Sequence, residues 1–595
     1  MSDQVRFRDL LQGAWRRLPQ TGPFLRGLWH LARIKPDSAC SLGLLLEMRA
    51  REQPQQIALR FEDRSWTYAE FNAWANRLSA VLRLQGVGPG ERVAILMENR
   101  AEVLALVAAT VKLGAVAVML NHQQRGAALQ HSLQLGTPRC LVAGAECLPA
   151  LETVPIADIP ARLWDGEGGC PPGWQALRDL AQRQPAADPP ETQSVLARQP
   201  CFYIFTSGTT GLPKASVMTH YRWLRGMAGL GMMGLRLTPQ DVLYCPLPLY
   251  HNNALTVSWG AVLGAGATLA LARRFSASGF WQDIRAQGAT SFCYIGELCR
   301  YLINQPPSAD DRRHGVHSMI GNGLRPEIWE TFQSRFGIEH ISEFYGASEA
   351  NLAFVNGFGL SRTAGFCPMP FAVVAFDPEQ EQPLPDARGR LQKVRPGEVG
   401  LLITEVSERT PFDGYTDRRA SEAKLLRDVF TPGDCWFNTG DLVRDQGYRH
   451  IQFVDRVGDT FRWKGENVAT SEVEAVLTRH PDVEQAVVYG VTVPGQEGRA
   501  GMAALTLRTP GLDTAGLAAF LRESLPPYAV PCFLRLQREP QTTSTFKYRK
   551  VELKREGFDP ARVQEPLYVL SSGQRGYEPL QPEHHARILA GDWRF

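Results

Sequence analysis

Between residues 65 and 120 the sequence alternates between two periodicities, and that alternation restricts the fold more than any other feature. Ser65 to Leu84 opens as a strand-like stub; Thr67 and Glu70 then form a capping box ahead of apolar residues at helical spacing. After the turn cluster Gly86-Val87-Gly88-Pro89-Gly90, Arg92 to Met97 reads as a short apolar strand, 100 to 113 as a helix and 115 to 120 as a second apolar strand. Strand, helix and strand at this spacing imply βαβ crossovers and a mostly parallel sheet. The glycine cluster is a turn here, because a dinucleotide fingerprint follows a strand and opens a helix, whereas this one precedes a strand. The apolar run Val103 to Leu120 is interrupted by Lys112 and Gly114 and only reaches the lower edge of a membrane span, so it is expected as a buried core helix.

A chain of 595 residues is too long for one core. The βα alternation starts at residue 41. Residues 150 to 200 carry Pro155, Pro160, Pro171, Pro172, Pro185, Pro189, Pro190 and Pro200 and read as a surface excursion. From Cys201 the alternation resumes to about residue 370. Residues 371 to 455 turn to short strands such as Gly400 to Thr404 and Tyr448 to Val454, a small β subdomain. After Asp455-Arg456-Val457-Gly458-Asp459 the order is helix (471 to 480), strand (483 to 490), strand (500 to 507), helix (513 to 525), strand (532 to 536). The expectation is therefore an α/β fold in three parts: an N-terminal arm (1–40), a large domain of stacked, mostly parallel sheets with helices (41–457, its β subdomain at 371–455), and a small α+β C-terminal domain (458–595).

Lys and Arg number 64 against 61 Asp and Glu, a net +3, which gives no reason to expect nucleic acid as a partner. The basic residues are not evenly spread. Residues 1 to 35 hold Arg6, Arg8, Arg16, Arg17, Arg26, Arg33 and Lys35 against Asp3 and Asp9, with Phe7, Leu10, Leu11, Trp15, Leu18, Phe24, Leu28 and Trp29 at helical spacings broken by Pro19 and Pro23. Two short amphipathic helices are expected, lying on an anionic membrane surface or packing on the protein's own body. Eleven cysteines, none in a C-x-x-C pair, suggest neither a disulfide scaffold nor a structural zinc site, and the N-terminus has no signal-peptide pattern. A cytoplasmic enzyme is expected, with the arm as its candidate contact on the inner face of the membrane. Oligomeric state is open.

Tyr203 to Lys214, YIFTSGTTGLPK, is the strongest local signal. An apolar strand runs into a loop carrying Thr206, Ser207, Gly208, Thr209, Thr210 and Gly211 and closed by Lys214. Backbone N–H groups, hydroxyls and one cation are what a polyphosphate requires. The loop departs from a Walker A pattern, since Pro213 stands where that pattern needs its second glycine.

The spelling T-S-G-T-T-G-x-P-K resembles the signature of the adenylate-forming superfamily of acyl-CoA synthetases, nonribosomal adenylation domains and luciferases. Glu343 to Asn351 (EFYGASEAN) matches its Y-G-x-T/S-E motif, Thr439-Gly440-Asp441 its T-G-D, Asp455-Arg456 its domain junction, and Thr543 to Lys550 (TSTFKYRK) the place of its C-terminal catalytic lysine. Tyr294 to Leu302 (YIGELCRYL), Gly321 to Trp329 (GNGLRPEIW) and Asp459 to Thr470 (DTFRWKGENVAT) resemble the fatty acid transport protein and very-long-chain acyl-CoA synthetase branch.

The resemblance implies an ATP-dependent long-chain fatty acid–CoA ligase that works through an acyl-adenylate and uses ATP, CoA and Mg²⁺. Two anions, carboxylate and α-phosphate, must meet, so cations are needed where charge builds up. On the matched positions, Lys214 and the hydroxyl loop would hold the β and γ phosphates, Glu349 a bridging Mg²⁺, and Lys547 the carboxylate and α-phosphate. Asp441 would take the ribose diol and Arg456 the ribose or phosphate. Tyr345, with Gly346 and Ser348 of its motif, would stack adenine over Gly321-Asn322-Gly323, and His251 in PLPLYH would stand beside the acyl carboxylate. A mobile C-terminal domain would rotate at Gly458, exchanging Lys547 for Lys464-Gly465 beside the pantetheine tunnel. Ser348 replaces the family's usual threonine, and Gly458 replaces a common Asp or Lys. Three other readings stay open: a fatty-acid uptake protein in which activation traps the ligand, a ligase loading an acyl carrier protein, and a serine hydrolase built on Gly346-Ala347-Ser348-Glu349-Ala350.

Overall fold

The computed structural model describes residues 4–207, 213–347, 350–377, 381–464, 466–494, 496, 498–539, 550–570 and 575–595. Of the site expectations, Gly208, Thr209, Thr210, Gly211, Ser348, Glu349, Gly465 and Lys547 lie outside the described residues.

The first βαβ unit forms as its periodicity requires. Thr67 caps the helix Tyr68–Leu84 through a capping box with Glu70, and the helix Ala101–Lys112 is buried on nearly every face between the parallel strands Arg92–Leu96 and Val116–Met119. Its one internal cation, Lys112, is fully buried but meets Glu47, Asp188, Asn72 and Asn76, so the charge is matched rather than stranded.

These strands belong to a seven-stranded sheet. Its parallel part runs through Cys140–Gly144 and Ala161–Asp165, and it ends in the antiparallel hairpin Pro200–Ser207 and Pro213–Thr219. The proline-rich stretch is thus more than a surface excursion: Ala161–Asp165 extends the sheet, with Leu163 and Trp164 buried. A three-residue apolar core between prolines is too short to display a period, which is why the sequence concealed it.

The second sheet has fourteen strands. Six pair in parallel, among them Val242–Cys245, Ser291–Ile295, Ser318–Asn322 and His340–Tyr345. Through Phe354–Val355 and Gly365–Phe366 the sheet continues without a break into the antiparallel strands His450–Arg456, Cys435–Gly447, Val399–Glu405 and Phe371–Val374. The β region expected at 371–455 is therefore hydrogen-bonded into the main sheet. One apolar core joins both sheets and the helices between them. Within it, Met227–Leu235 and Asn253–Ser258 are π-helical, a geometry that the sequence periodicity did not reveal.

The C-terminal sheet has five strands, Val483–Val491, Ala500–Leu507, Phe533–Gln537, Leu567–Val569 and Glu578–Pro579, with the helices Thr470–Leu477 and Thr514–Ser524 and its own core.

The N-terminal arm forms the helices Phe7–Arg16 and Thr21–Arg33. Pro23 falls in the first turn of the second helix, where its missing N–H costs nothing, so it starts that helix instead of breaking it. The arm packs on the body. A Cβ at Gly13 would lie 2.4 Å from the Phe358 carbonyl oxygen and one at Gly27 2.6 Å from the Met233 side chain, so both contacts require glycine. Buried Arg17 donates to the Gly234 carbonyl, and Arg236 donates back to the Arg17 carbonyl at 3.1 Å. Phe7, Leu11, Trp15 and Leu18 nonetheless point outward along one face, between 56% and 76% exposed.

Candidate active site

The hairpin Pro200–Ser207/Pro213–Thr219 delivers both ends of the phosphate-type loop. Thr206 and Lys214 are direct partners across it, so the hydroxyl and the ammonium leave the sheet side by side. The segment around Gly414 to Thr416 runs alongside this hairpin through Thr416 N to Ala215 O (3.0 Å) and places the Tyr415 ring under Lys214, with Nζ 5.5 Å from its centroid.

A second group gathers where the parallel part of the large sheet meets its antiparallel part. Tyr345 ends the strand His340–Tyr345, and its hydroxyl donates to Asp441 Oδ2 at 2.6 Å. Asp441 faces Arg456 across the antiparallel pair, and Arg456 Nε stands 3.3 Å from Asp441 Oδ1. Three positions far apart in sequence thus meet through strand register. Asp441 is 4% exposed and its neighbour Thr439 turns its hydroxyl back to the Leu402 carbonyl, fixing the turn that carries the carboxylate. Burial, and then the Asp441 charge beside it, hold the Tyr345 phenol far above its ordinary value, so it remains a donor.

Gly321-Asn322-Gly323 ends the neighbouring strand, with Gly321 opposite Glu343. A Cβ on Gly296 would come within 1.6 Å of the Gly323 carbonyl oxygen, and one on Gly321 within 2.2 Å of the Tyr294 carbonyl oxygen. The turn therefore lies directly on the start of the helix Gly296–Ile303. His251 stands two residues before the π-helical turn, donating its N–H to Pro248 O at 3.1 Å. Two residues on, Asn253 Nδ2 donates to Tyr294 O (2.9 Å) and Asn322 Oδ1 (3.2 Å), tying the histidine's segment to the glycine turn.

Sequence reasoning missed the supports. Arg222 Nη2 donates to Ala350 O at 2.6 Å, and the Asn351 side chain donates to Glu405 O and Thr410 O while accepting from Thr404. Together they anchor the residues that immediately follow Glu349. Asn351 was inside the quoted motif, whereas nothing in the sequence around Arg222 signals its reach across more than a hundred residues.

At the junction, adjacent side chains serve opposite partners. Arg456 goes to Asp441, while Asp455 accepts from the N–H and hydroxyl of Thr470 (2.8 and 2.9 Å), the first residue of the C-terminal region's first helix. Burial pushes the Asp455 carboxyl up. Gly458 follows with φ +86°, a backbone region that disfavours any side chain. The helix Lys550–Glu556, just after the TSTFKYRK lysine, returns two cations: Lys550 to Thr470 Oγ1 and Glu474, and Lys554 to Gly458 O and Asp459. Lys464 stands apart from the other candidates, at φ +52° in the turn between Phe461–Trp463 and Glu466–Val468, donating to the Phe595 carbonyl at 2.8 Å.

The hairpin carrying Thr206 and Lys214 and the Tyr345–Asp441–Arg456 cluster hold the residues of the quoted motifs. The chain belongs to the AMP-binding enzyme family: that family's model matches residues 46–412, and the model of the AMP-binding enzyme C-terminal domain matches 472–547. It is 48% identical over 588 residues to the medium/long-chain-fatty-acid–CoA ligase FadD6 of Mycobacterium tuberculosis (strain ATCC 25618 / H37Rv), covering 99% of this chain and 97% of that protein. It is 38% identical to the mouse (Mus musculus) long-chain fatty acid transport protein 1 over 98% of this chain and 94% of that one. In fold it is similar to the anthranilate CoA ligase AuaEII solved with anthranoyl-AMP, at a TM-score of 0.75 and 21% identity, covering 88% of this chain and 98% of that one.

Proposed function

We propose that this protein is an ATP-dependent long-chain fatty acid–CoA ligase. The observation that carries the proposal is the end-to-end 48% identity with a medium/long-chain-fatty-acid–CoA ligase. In the first half-reaction a fatty acid carboxylate oxygen attacks the α-phosphorus of ATP and pyrophosphate leaves. In the second, the CoA thiol attacks the acyl carbonyl, loses its proton, and AMP leaves. Lys214, Thr206 and the loop through Ser207 to Gly211 take the β and γ phosphates. Asp441 accepts from the ribose hydroxyls using lone pairs left over from Tyr345 and Arg456, since an ionised carboxylate offers about four acceptor sites. Tyr345, with Gly346 and Ser348 beside it, and Gly321 to Gly323 frame the base. His251 lies toward the acyl carboxylate, and Lys547 steadies the charge of the first transition state. Rotation about Gly458 then brings Lys464 and Gly465 toward the pantetheine arm.

Among the described residues no group of three His, Cys, Asp or Glu side chains is placed to hold a metal. Glu349, matched by its motif position and outside the described residues, would hold a Mg²⁺ that arrives with the triphosphate, since Mg²⁺ is typically held by one or two carboxylates plus phosphates. When bound, the ion supplies charge neutralisation between the phosphates.

The deciding experiment is the initial rate of AMP release by the purified protein, with and without CoA, across C8 to C24 acids. CoA-dependent release with its maximum at long chains is expected. Release that requires an acyl carrier protein in place of CoA would establish the carrier-loading alternative, and no acid-dependent release would leave only uptake or binding.

The arm's outward row of Phe7, Leu11, Trp15 and Leu18, flanked by the exposed arginines Arg6, Arg8, Arg16, Arg26 and Arg33, supports peripheral contact with an anionic lipid surface. No helix among the described residues is long and apolar enough to cross a membrane. Leu11→Glu with Trp15→Glu changes only outward positions and should abolish co-sedimentation with anionic vesicles while sparing activity on a soluble C8 acid. Unchanged sedimentation would remove the arm from membrane contact.

A further inference from the structure

Glu343 is a carboxyl that the assigned chemistry does not use. It is 5% exposed, in the middle of the large sheet, two residues before Tyr345 and therefore on the same face of the strand. All its partners are donors from the walls of the candidate site. Oε1 accepts from the N–H groups of Gly323 (2.5 Å) and Leu324 (3.2 Å), and Oε2 accepts from the Tyr294 hydroxyl. Tyr294 is in turn bound through its carbonyl to Asn253, which also reaches Asn322. One carboxyl therefore closes a ring of hydrogen bonds that runs from the glycine turn, through Tyr294 and Asn253, back to the turn.

The backbone there needs such a brace. Gly323 sits at φ +82° with its carbonyl pressed into the space a Cβ of Gly296 would fill, and Gly321 is packed against the Tyr294 ring with equally little clearance. The strand ladder pairs Gly321 with Glu343 but ends there, so Gly323 and Leu324 depend on the side chain for their N–H partners.

We infer that Glu343 is the positioning residue that holds the Gly321–Leu324 turn against Tyr294 and so sets the floor on which the adenine ring lies. The inference rests on the ligase reading for the identity of that ring. What the turn needs is reach: an acceptor at the length of a glutamate, bonded on one side to two backbone N–H groups and on the other to a phenol. Negative charge is not what it needs. Burial raises the Glu343 carboxyl to about 8, so the protonated form, which glutamine mimics, predominates at neutral pH.

The test sets reach against charge. Glu343→Gln keeps the length but can no longer ionise; Glu343→Asp can still ionise but loses one methylene. Calorimetric titration with AMP should give a Kd within about threefold of wild type for Glu343→Gln and at least tenfold weaker for Glu343→Asp, and KM for ATP should move in parallel while KM for CoA stays within about twofold. Tyr294→Phe, which releases Oε2 alone and removes no volume from the core, should weaken AMP two- to fivefold; this variant reads the network even if Glu343→Asp does not fold. Wild-type affinity in Glu343→Asp overturns the inference, as does equal loss in Glu343→Gln and Glu343→Asp, or unchanged AMP binding in Tyr294→Phe. Failure of the wild-type protein to bind AMP would overturn the ligase reading itself, which separates the two failures.

Discussion

The Asp441 assignment can be tested by deleting atoms from both sides of the contact. Asp441 Oδ2 already accepts from the Tyr345 hydroxyl and Oδ1 faces Arg456, which leaves about two lone pairs for the 2′- and 3′-hydroxyls of a ribose. Asn at this position keeps one acceptor oxygen, which Tyr345 occupies, and turns an NH₂ toward Arg456 and the sugar. One ribose hydroxyl then loses a hydrogen bond to a charged group, a loss of about 1.5–3 kcal/mol, or roughly 10- to 150-fold in kcat/KM for ATP. Arg456 is half-exposed, so water takes over its solvation and little stability is lost. ATP–pyrophosphate exchange at saturating fatty acid measures the effect, run with ATP, 2′-deoxy-ATP and 3′-deoxy-ATP. Wild type should lose a comparable factor on at least one deoxynucleotide, whereas Asp441→Asn should lose no more than about threefold further on that same nucleotide, because the contact is already gone. Tyr345→Phe, which only frees an Asp441 lone pair, should keep the wild-type discrimination. If Asp441→Asn discriminates against both deoxynucleotides as strongly as wild type does, the diol is held elsewhere and the assignment fails.

Lys547→Ala should slow adenylation by about 10²–10³ while leaving thioester formation from added acyl-AMP within a few-fold, and equal losses in the two half-reactions would contradict its role in the first alone. Among the described residues a Cβ on Gly458 would meet only the Glu381 carboxylate, at 3.8 and 3.9 Å, so Gly458→Ala acts through its positive φ and should cost about 1–2 kcal/mol in the described conformation. The half-reaction that uses this conformation should slow about five- to thirtyfold and the other hardly at all; identical changes in both would show that the residue is not a hinge. Asp241 offers a pH test: burial alone would raise its carboxyl, yet hydrogen bonds from His317, Thr238 and Thr290 bring it down to about 2. A depressed carboxyl stabilises the fold above its unfolded value near 3.9 and loses that contribution as pH falls through about 2, so Asp241→Asn should lower the urea midpoint by the equivalent of about 2 kcal/mol at pH 7 and by only about half as much at pH 3. A pH-independent difference would refute the charge argument.

Much of the architecture was legible because it depends on local period. The helix at 68–84 follows from the Thr67–Glu70 box, and the C-terminal elements predicted at 471–480, 483–490, 500–507, 513–525 and 532–536 lie within a few residues of those observed. The candidate site was legible to a different degree in each part. Lys214, Tyr345, Asp441 and Arg456 stand in spelled motifs, but that the last three touch depends on sheet register, which no single motif encodes. Arg222 reads in sequence as an ordinary surface charge, and Glu343 and Lys550 stand at the ends of quoted motifs with no role given to them there, because what they do depends on carbonyls, N–H groups and a helix distant in sequence. The π-helical turns at 227–235 and 253–258 were hidden for another reason: their residues are apolar or small throughout, so no face stands out to reveal any helical period.

The junction after Asp441's partner strand has a consequence for how one site could run two reactions. Asp455 is committed to Thr470 and Arg456 to Asp441, so the chain is gripped from both sides within two residues. The next free torsions fall at Val457 and Gly458. Lys554 donates to the Gly458 carbonyl itself and to Asp459, and Lys550 reaches Thr470 and Glu474, while Arg325 of the large region meets the same Glu474 at 3.1 Å. A rotation at Gly458 carries Thr470 and Glu474 relative to Asp455 and Arg325, which precede it, so it must break or stretch Asp455–Thr470 and, with it, Arg325–Glu474. That pair therefore belongs to one conformation only. Arg325→Gln should shift the balance away from that conformation, changing one half-reaction rate in the direction opposite to the other, whereas loss of a merely structural ion pair would lower both together.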